Sequence, residues 1–251
     1  MAIELRSDSE IDADPRVSNR SMCAVACAAP GGLLSYNVFG DPAVSPGRNL
    51  APGRPPGRVY GAPTSNGIFT QLGPAGYIDT LIQDRDDLTI MAVAGMDAAG
   101  PGAGKYGYIA ASYLSPTGIG TNMGAFPASA GNHVWSAIIG RFNSQQQPAI
   151  ESTGAVSAYS FQMLAQRASS SYGTRFEMPK TGAVVENRTP PIGLRNLSIG
   201  NIYLGRAPRD EDIYGPVNVI AVAIWSRVLS DAEVAAASVQ LRGLLTGIID
   251  V

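Results

Sequence analysis

The run Val217-Asn-Val-Ile-Ala-Val-Ala-Ile-Trp225 is apolar at every position but one. Such a composition is expected of a strand buried on both faces. The residues after Trp225 sharpen the constraint. Ser226-Arg-Val-Leu leads into Ser230-Asp-Ala-Glu233, a Ser-x-x-Glu capping box in which the hydroxyl accepts an early backbone N–H and the carboxylate reaches back. Val234, Ala237, Leu241 and Leu244 then recur at helical spacing and predict a helix with one buried stripe. Upstream, Leu197 to Leu204 alternates between two faces, with Leu197, Ile199 and Tyr203 sharing one, and predicts a strand. Between the two strands, Arg206-Ala-Pro-Arg-Asp-Glu-Asp-Ile-Tyr-Gly-Pro reads as a charged loop.

This order of elements, with the wording Val-Ala-Ile-Trp-Ser-Arg-Val-Leu-Ser-Asp-Ala-Glu-Val, resembles the C-terminal end of laminin-G-like, concanavalin A-like domains. Gly73-Pro-Ala-Gly-Tyr-Ile-Asp-Thr, followed by Asp87-Leu-Thr-Ile-Met-Ala-Val-Ala, is similar to the entry strands of those domains. His133-Val-Trp-Ser-Ala-Ile-Ile-Gly-Arg sits where they place a Trp-bearing strand. The resemblance covers about residues 60–245 and implies an all-β, two-sheet antiparallel jelly-roll sandwich with one C-terminal helix.

Composition agrees with that class. Only 15% of residues are charged, while Gly and Pro number 29 and 18, a pattern of many short strands broken by turns. A formal charge of −2 gives no electrostatic case for nucleic acid. No segment approaches a membrane span, and no basic amphipathic helix is present to lie on a bilayer. The opening Met-Ala-Ile-Glu-Leu-Arg-Ser-Asp-Ser-Glu is acidic where a secretory leader is basic and then apolar, so synthesis in the cytosol is the expectation.

Three parts are expected along the chain. Residues 1–32 form a polar arm, 33–63 a strand followed by a Pro/Gly-rich extended segment, and 64–251 the sandwich. Strands are predicted near 66–71, 75–80, 87–96, 105–114, 133–142, 157–165, 183–188, 197–204 and 217–226. Leu114–Gly131 and Ala168–Arg175 read as long loops, where binding residues concentrate on β scaffolds.

The catalytic and metal patterns are thin. Glu10-Ile-Asp12-Ala-Asp14 echoes a glycosidase strand but lacks its closing Glu, and a retaining pair needs two carboxyls about 5–5.5 Å apart on a framework. His133, the single histidine, has no Gly-x-Ser-x-Gly partner and is read as structural or solvent-facing. Gly100-Pro-Gly-Ala-Gly-Lys105 misses phosphate-loop spacing and is read as a hairpin loop. Cys23 and Cys27 are read as two small buried thiols. Asp210 and Asp212 are the candidates for Ca²⁺, yet consecutive acids do not aim together, so a solvated loop without metal is expected. No cofactor is expected and no catalytic residue is assigned.

Carbohydrate recognition wants an aromatic platform beside amide and charged groups. Tyr106, Tyr108, Tyr113, Asn122, Tyr172, Arg175 and Tyr214 qualify by type. The expected glycan site is Tyr172, Arg175, Tyr214 and Asn122, because Tyr172 and Tyr214 fall in predicted loops. Taken with the resemblance and the missing leader, this implies a bacteriophage virion protein of tail or baseplate type with a lectin-like module for the host surface. Its partners would be other virion subunits, met through residues 1–32, and host polysaccharide or protein, in a homo-oligomer. The alternatives are a capsid decoration or head-fibre protein, and a glycan-cleaving enzyme on the same scaffold.

Overall fold

A computed structural model describes residues 29, 31–96, 101–114, 118–127, 133–142, 148–157, 161–179, 181–187, 193–208 and 214–245, the side chains of 148–157 and 243–245 excepted. The strands in chain order are β1 Leu33–Val38, β2 Arg58–Gly61, β3 Thr64–Ser65, β4 Thr70–Leu72, β5 Gly76–Gln83, β6 Leu88–Gly95, β7 Gly107–Ala111 and β8 Thr121–Pro127. There follow β9 His133–Phe142, β10 Pro148–Ser157, β11 Gln162–Ser169, β12 Gly173–Met178, β13 Ala183–Asn187, β14 Asn201–Leu204 and β15 Val217–Trp225. One helix, α1 Asp231–Leu245, closes the described chain.

The strands form two antiparallel sheets stacked as a jelly-roll sandwich. The first is ordered β13-β12-β11-β6-β15-β4-β3, with β1 also on β15; the second is ordered β10-β9-β8-β7-β14-β5-β2. β15 is central to the first sheet. One of its edges pairs with β6, while the other is shared between β4 at Val217–Val219 and β1 at Ala221–Trp225. Every residue of β15 and of β6 is buried, as the unbroken apolar run requires.

Two cores account for that burial. Between the sheets, Ile90, Val222 and Ile224 of the first meet Ile78, Ile109, Met123, Trp135 and Leu204 of the second. On the far side of the first sheet, Tyr36, Met91, Val93, Met163 and Trp225 are covered by Leu50, Leu229 and the α1 stripe Val234, Ala237 and Leu241. On the outer face of the second sheet the described cover is smaller: Tyr108, Ala111 and Ala207 are buried there, with Tyr106 and Tyr214 packed against them. Its sequence alternates accordingly: Ile78, Met123 and Trp135 face in, while Tyr77, Asn122 and Ser136 face out.

The capping box forms as the spacing predicts. Ser230 Oγ accepts from the Glu233 N–H at 3.3 Å, and Glu233 Oε2 accepts from the Ser230 N–H at 2.9 Å. Arg227 closes the motif with a bond of 2.6 Å to Glu233 Oε1.

Several sequence expectations need correction. Residues 33–63 are not a segment outside the sandwich: β1 and β2 belong to its two sheets, Leu50 and Ala51 pack into the outer core, and Ala29 joins them. The expected loop Leu114–Gly131 contains β8. Its Gly124 hides the strand pattern, yet a Cβ there would come within 2.3 Å of the Gly107 carbonyl oxygen, so close strand approach demands glycine. The expected loop Ala168–Arg175 is a tight turn between paired β11 and β12. The strand expected over 197–204 shortens to β14, because the Ser198 N–H is drawn inward to Asp84 Oδ2 at 3.2 Å and Ile199 is left 95% exposed. Residues 101–105 link β6 to β7 in the opposite sheet, so this turn is no hairpin. Residues 1–28, with the acidic pattern and both cysteines, lie outside the described residues.

Hydrogen bonds from Arg227 and the Ser230 N–H hold the Glu233 carboxyl down at about 2, against an ordinary 4.5. A depressed folded-state pKa stabilises above the unfolded value, and that contribution fades as pH falls from 4.5 towards 2. Glu233→Gln should therefore lower the melting temperature at pH 7, with the gap to the wild type closing near pH 2. Ser230→Ala should cost about 0.5–2 kcal/mol by chemical denaturation. An unchanged midpoint in both variants would show that the cap is not a stabilising element.

Candidate functional site: the tyrosine face of the second sheet

The open face of the second sheet is organised by register. Arg58, Asp79, Tyr203, Ala111, Asn122 and Ile138 are successive Cα partners across β2, β5, β14, β7, β8 and β9, so they form one row on one face. A neighbouring row pairs Tyr60 with Tyr77 and Tyr108 with Gly124.

Two groups of aromatic rings lie along these rows. Tyr60 stacks on Tyr77 with centroids 5.0 Å apart and planes 12° apart, and Tyr77 meets Tyr203 edge-on at 6.1 Å. Further along, Tyr106 stacks on Tyr108 at 5.8 Å, meets Phe126 edge-on at 5.2 Å, and Tyr108 contacts Tyr214 at 6.1 Å. Tyr60 is 40% exposed, and Tyr77, Tyr203, Tyr106, Tyr214 and Phe126 are half-buried. Tyr108 is buried beneath Tyr106 and Tyr214, while the other rings keep part of their surface in solvent with a tilt fixed by their neighbours, which is the preorganisation that a stacking ligand exploits.

Polar groups are set into this surface. Gly205, at φ +87°, turns the chain after β14 and aims Arg206 back over the sheet. Arg206 lies 4.7 Å from the Tyr77 ring centroid and donates to the Tyr77 hydroxyl at 2.6 Å. Asp79 Oδ1 accepts from Asn201 Nδ2 and from the Leu81 N–H, both at 2.8 Å. Burial, then the charge of Asp79, raises the Tyr203 phenol above its ordinary 10.0, so it remains a neutral hydrogen-bonding group. Asn122 is 1% exposed, and neither atom of its amide has a partner among the described residues. An orphaned buried amide is costly, and a bound water or ligand would relieve it.

Of the four residues expected to bind glycan, the structure brings Tyr214 and Asn122 to this face and places Tyr172 and Arg175 elsewhere. Tyr172 packs under Arg167, whose guanidinium carbon is 5.6 Å from its ring centroid. Arg167 in turn bonds Glu177 at 2.7 Å, Asp231 at 2.6 Å and the Leu229 carbonyl at 2.8 Å. Arg175 bonds Glu177 at 3.1 Å and Glu186 at 3.3 Å. These residues tie β11, β12 and β13 to the N-terminus of α1, so the geometry accounts for them structurally. Asp210 and Asp212 lie outside the described residues. His133 is buried, with Nε2 2.9 Å from the Lys105 carbonyl oxygen. No group of three metal-ligating side chains occurs among the described residues.

Sequence reasoning missed Tyr60, Tyr77, Tyr203 and Arg206. A signal existed for Tyr77 and Asp79, which flank Ile78 and must share the face opposite it. Nothing local could join them to Tyr203, more than a hundred residues away.

No family model matches the chain, and no curated protein resembles it in sequence. Solved structures do share its fold. The receptor-binding domain of botulinum neurotoxin mosaic serotype C/D matches with a TM-score of 0.55 at 10% identity, covering 84% of this chain and 51% of that one. Trypanosoma rangeli sialidase, in complex with 2,3-difluorosialic acid, matches with a TM-score of 0.56 at 10% identity, covering 90% and 38%. The binding domain of botulinum neurotoxin DC in complex with rat synaptotagmin II gives 0.55 at 9% identity, covering 85% and 52%. The chain thus spans about half or less of each, and at such identity the likeness is one of fold: a two-sheet β-sandwich.

The two groups of tyrosines should separate in a paired experiment. Tyr172→Ala should lower the melting temperature and leave ligand binding intact, because its ring packs against a buried cation. Tyr77→Ala should leave the melting temperature nearly unchanged while altering binding. A loss of binding in Tyr172→Ala at unchanged affinity of Tyr77→Ala would move the site to the β11–β12 turn.

Proposed function

We propose that this chain is a carbohydrate-binding module, carried by a bacteriophage virion protein of tail or baseplate type and used for attachment to host-surface glycan. One observation carries the reading: two groups of packed tyrosines on the outer face of the second sheet, Tyr60, Tyr77 and Tyr203 beside Arg206 and Asp79, and Tyr106 and Tyr214 around the buried Tyr108. Sugar rings offer apolar C–H faces that stack on aromatics and hydroxyls that bond amides and charges, so the two halves of this surface match the two halves of a saccharide.

Binding is favoured over cleavage by the state of the acids. The described carboxylates near the face are occupied in structural bonds, Asp79 with Asn201 and Leu81 and Asp84 with Arg195. One of the structural relatives is described as a receptor-binding domain and another as a binding domain in complex with rat synaptotagmin II, so the same fold serves recognition elsewhere. The virion assignment rests on the sequence resemblance, a lectin-like sandwich preceded by an acidic stretch. In this reading residues 1–32 meet other virion subunits, the assembly is a homo-oligomer, and the protein is made in the host cytoplasm.

Purified protein incubated with host polysaccharide should bind it and release no oligosaccharide. Tyr77→Ala should weaken the affinity about fivefold, the equivalent of losing roughly 1 kcal/mol of stacking, and multivalent display would amplify the loss. Oligosaccharide release would establish an enzyme instead. Absence of binding to any host polysaccharide would leave a structural role such as capsid decoration.

A further inference from the structure

At one end of the tyrosine face, the 49–55 loop and the end of β5 enclose a cavity of about 360 Å³ whose lining includes Asn49, Arg54, Leu81, Gln83, Arg85 and Asn201. Its charge is one-sided. Two guanidinium groups border it and no carboxylate does, in a chain whose net charge is −2.

Six other arginines of the fold are anchored, whereas Arg54, like Arg58 and Lys105, is exposed and Arg85 is half-buried. Arg141, Arg167, Arg175, Arg195, Arg206 and Arg227 are each held by a carbonyl, hydroxyl or carboxylate. The side chains of Arg54 and Arg85 take part in no hydrogen bond or ion pair among the described residues, and the Nε of Arg85 is buried without a partner. An unpaired donor under cover is destabilising, and an anion in the cavity would satisfy it.

The walls, by contrast, are rigid. The Asn49 amide is used completely, accepting from the Tyr36 and Ala51 N–H groups and donating to the Leu34 and Pro55 carbonyls. Leu81 has φ +61°, the one positive φ among the described non-glycine residues, and its N–H is fixed by Asp79. Backbone strain of this kind persists where the surroundings over-determine it, and it gathers at ligand sites. Asp79 also holds Asn201, so the cavity wall and the Tyr77–Tyr203 surface share one anchored strand pair.

We infer that this cavity takes the charged substituent of an acidic saccharide, a carboxylate or a sulfate ester, whose ring lies on the adjacent tyrosines. The inference rests on the carbohydrate-binding reading and adds the class of sugar. Arg54 and Arg85 supply the charge-assisted donors, and the Gln83 amide and Asn201 carbonyl oxygen are placed to bond neighbouring hydroxyls.

The test measures affinity for two matched pairs of polymers at fixed ionic strength: polygalacturonate against its carboxyl-reduced form, and dextran sulfate against dextran. The wild type should prefer at least one acidic member over its neutral partner by about tenfold or more, and the pair that shows the preference identifies the substituent. R54Q/R85Q should bring that ratio towards one without changing affinity for the neutral polymer or the melting temperature. R242Q, on the helix at the opposite face, should keep the ratio. Tyr77→Ala should weaken acidic and neutral members alike. A wild type that binds neutral and acidic forms equally, or a preference that survives R54Q/R85Q, would overturn the acidic-sugar assignment and leave the carbohydrate reading standing. Binding to none of the four would overturn the acidic-sugar assignment, and the host-polysaccharide assay alone decides the carbohydrate reading.

Discussion

The double-sided burial of β15 is the constraint on which the rest of the architecture depends. A strand with no polar face has to be sandwiched, and the chain supplies the second sheet beneath it and α1 above it. The first sheet is therefore committed entirely to structure. The second sheet is needed on one face only, and its other face is released for residues that the core does not require. Aromatic side chains could accumulate there because each strand of that sheet contributes one outward position for every inward one. The asymmetry between a covered sheet and an open one is what makes a recognition surface available.

Buried cations show the same division between structural and available groups. Arg195 and Asp84 form an ion pair with both side chains at 0% exposure, and Arg195 also donates to the Arg85 and Asp86 carbonyls. Such a pair owes its place to the completeness of its hydrogen bonding, since desolvation offsets most of its attraction. It pins the segment before β14 inward, which sets the register that lines Tyr203 up with Asp79. The Arg167 cluster performs the equivalent task at the other end, joining β11 and β12 to the first turn of α1. Arg206, by contrast, lies over a tyrosine at the surface, and Arg54 and Arg85 border an open volume. Guanidinium groups in these two situations are chemically identical, and only their surroundings separate a clamp from a receptor.

Much of the scaffold was legible in local pattern. The capping box at Ser230 and Glu233, the α1 stripe, the apolar run of β15 and the strand at His133–Phe142 depend on neighbours within a few residues, and the structure contains each of them. β8 and β12 were not legible. Gly124 and Gly173 interrupt the alternation, and they become strand residues through a partner backbone lying elsewhere in the chain. The expected site divides on the same line. Tyr214 and Asn122 lie on the open face, whereas Tyr172 and Arg175, which fall in an apparent loop of the sequence, serve the packing around Arg167.

Sequence alone determined the capped C-terminal helix, the buried strand before it and a chain of many short strands, because alternation, capping and an unbroken apolar run are local properties of covalent neighbours, while the two-sheet sandwich was implied by the resemblance. Tertiary structure alone decided where recognition can occur. The row Arg58, Asp79, Tyr203, Ala111, Asn122 is assembled from five strands whose order in space is unrelated to their order in the chain. Its members become neighbours only through antiparallel register, and register is set by long-range pairing and core burial rather than by any short stretch of sequence.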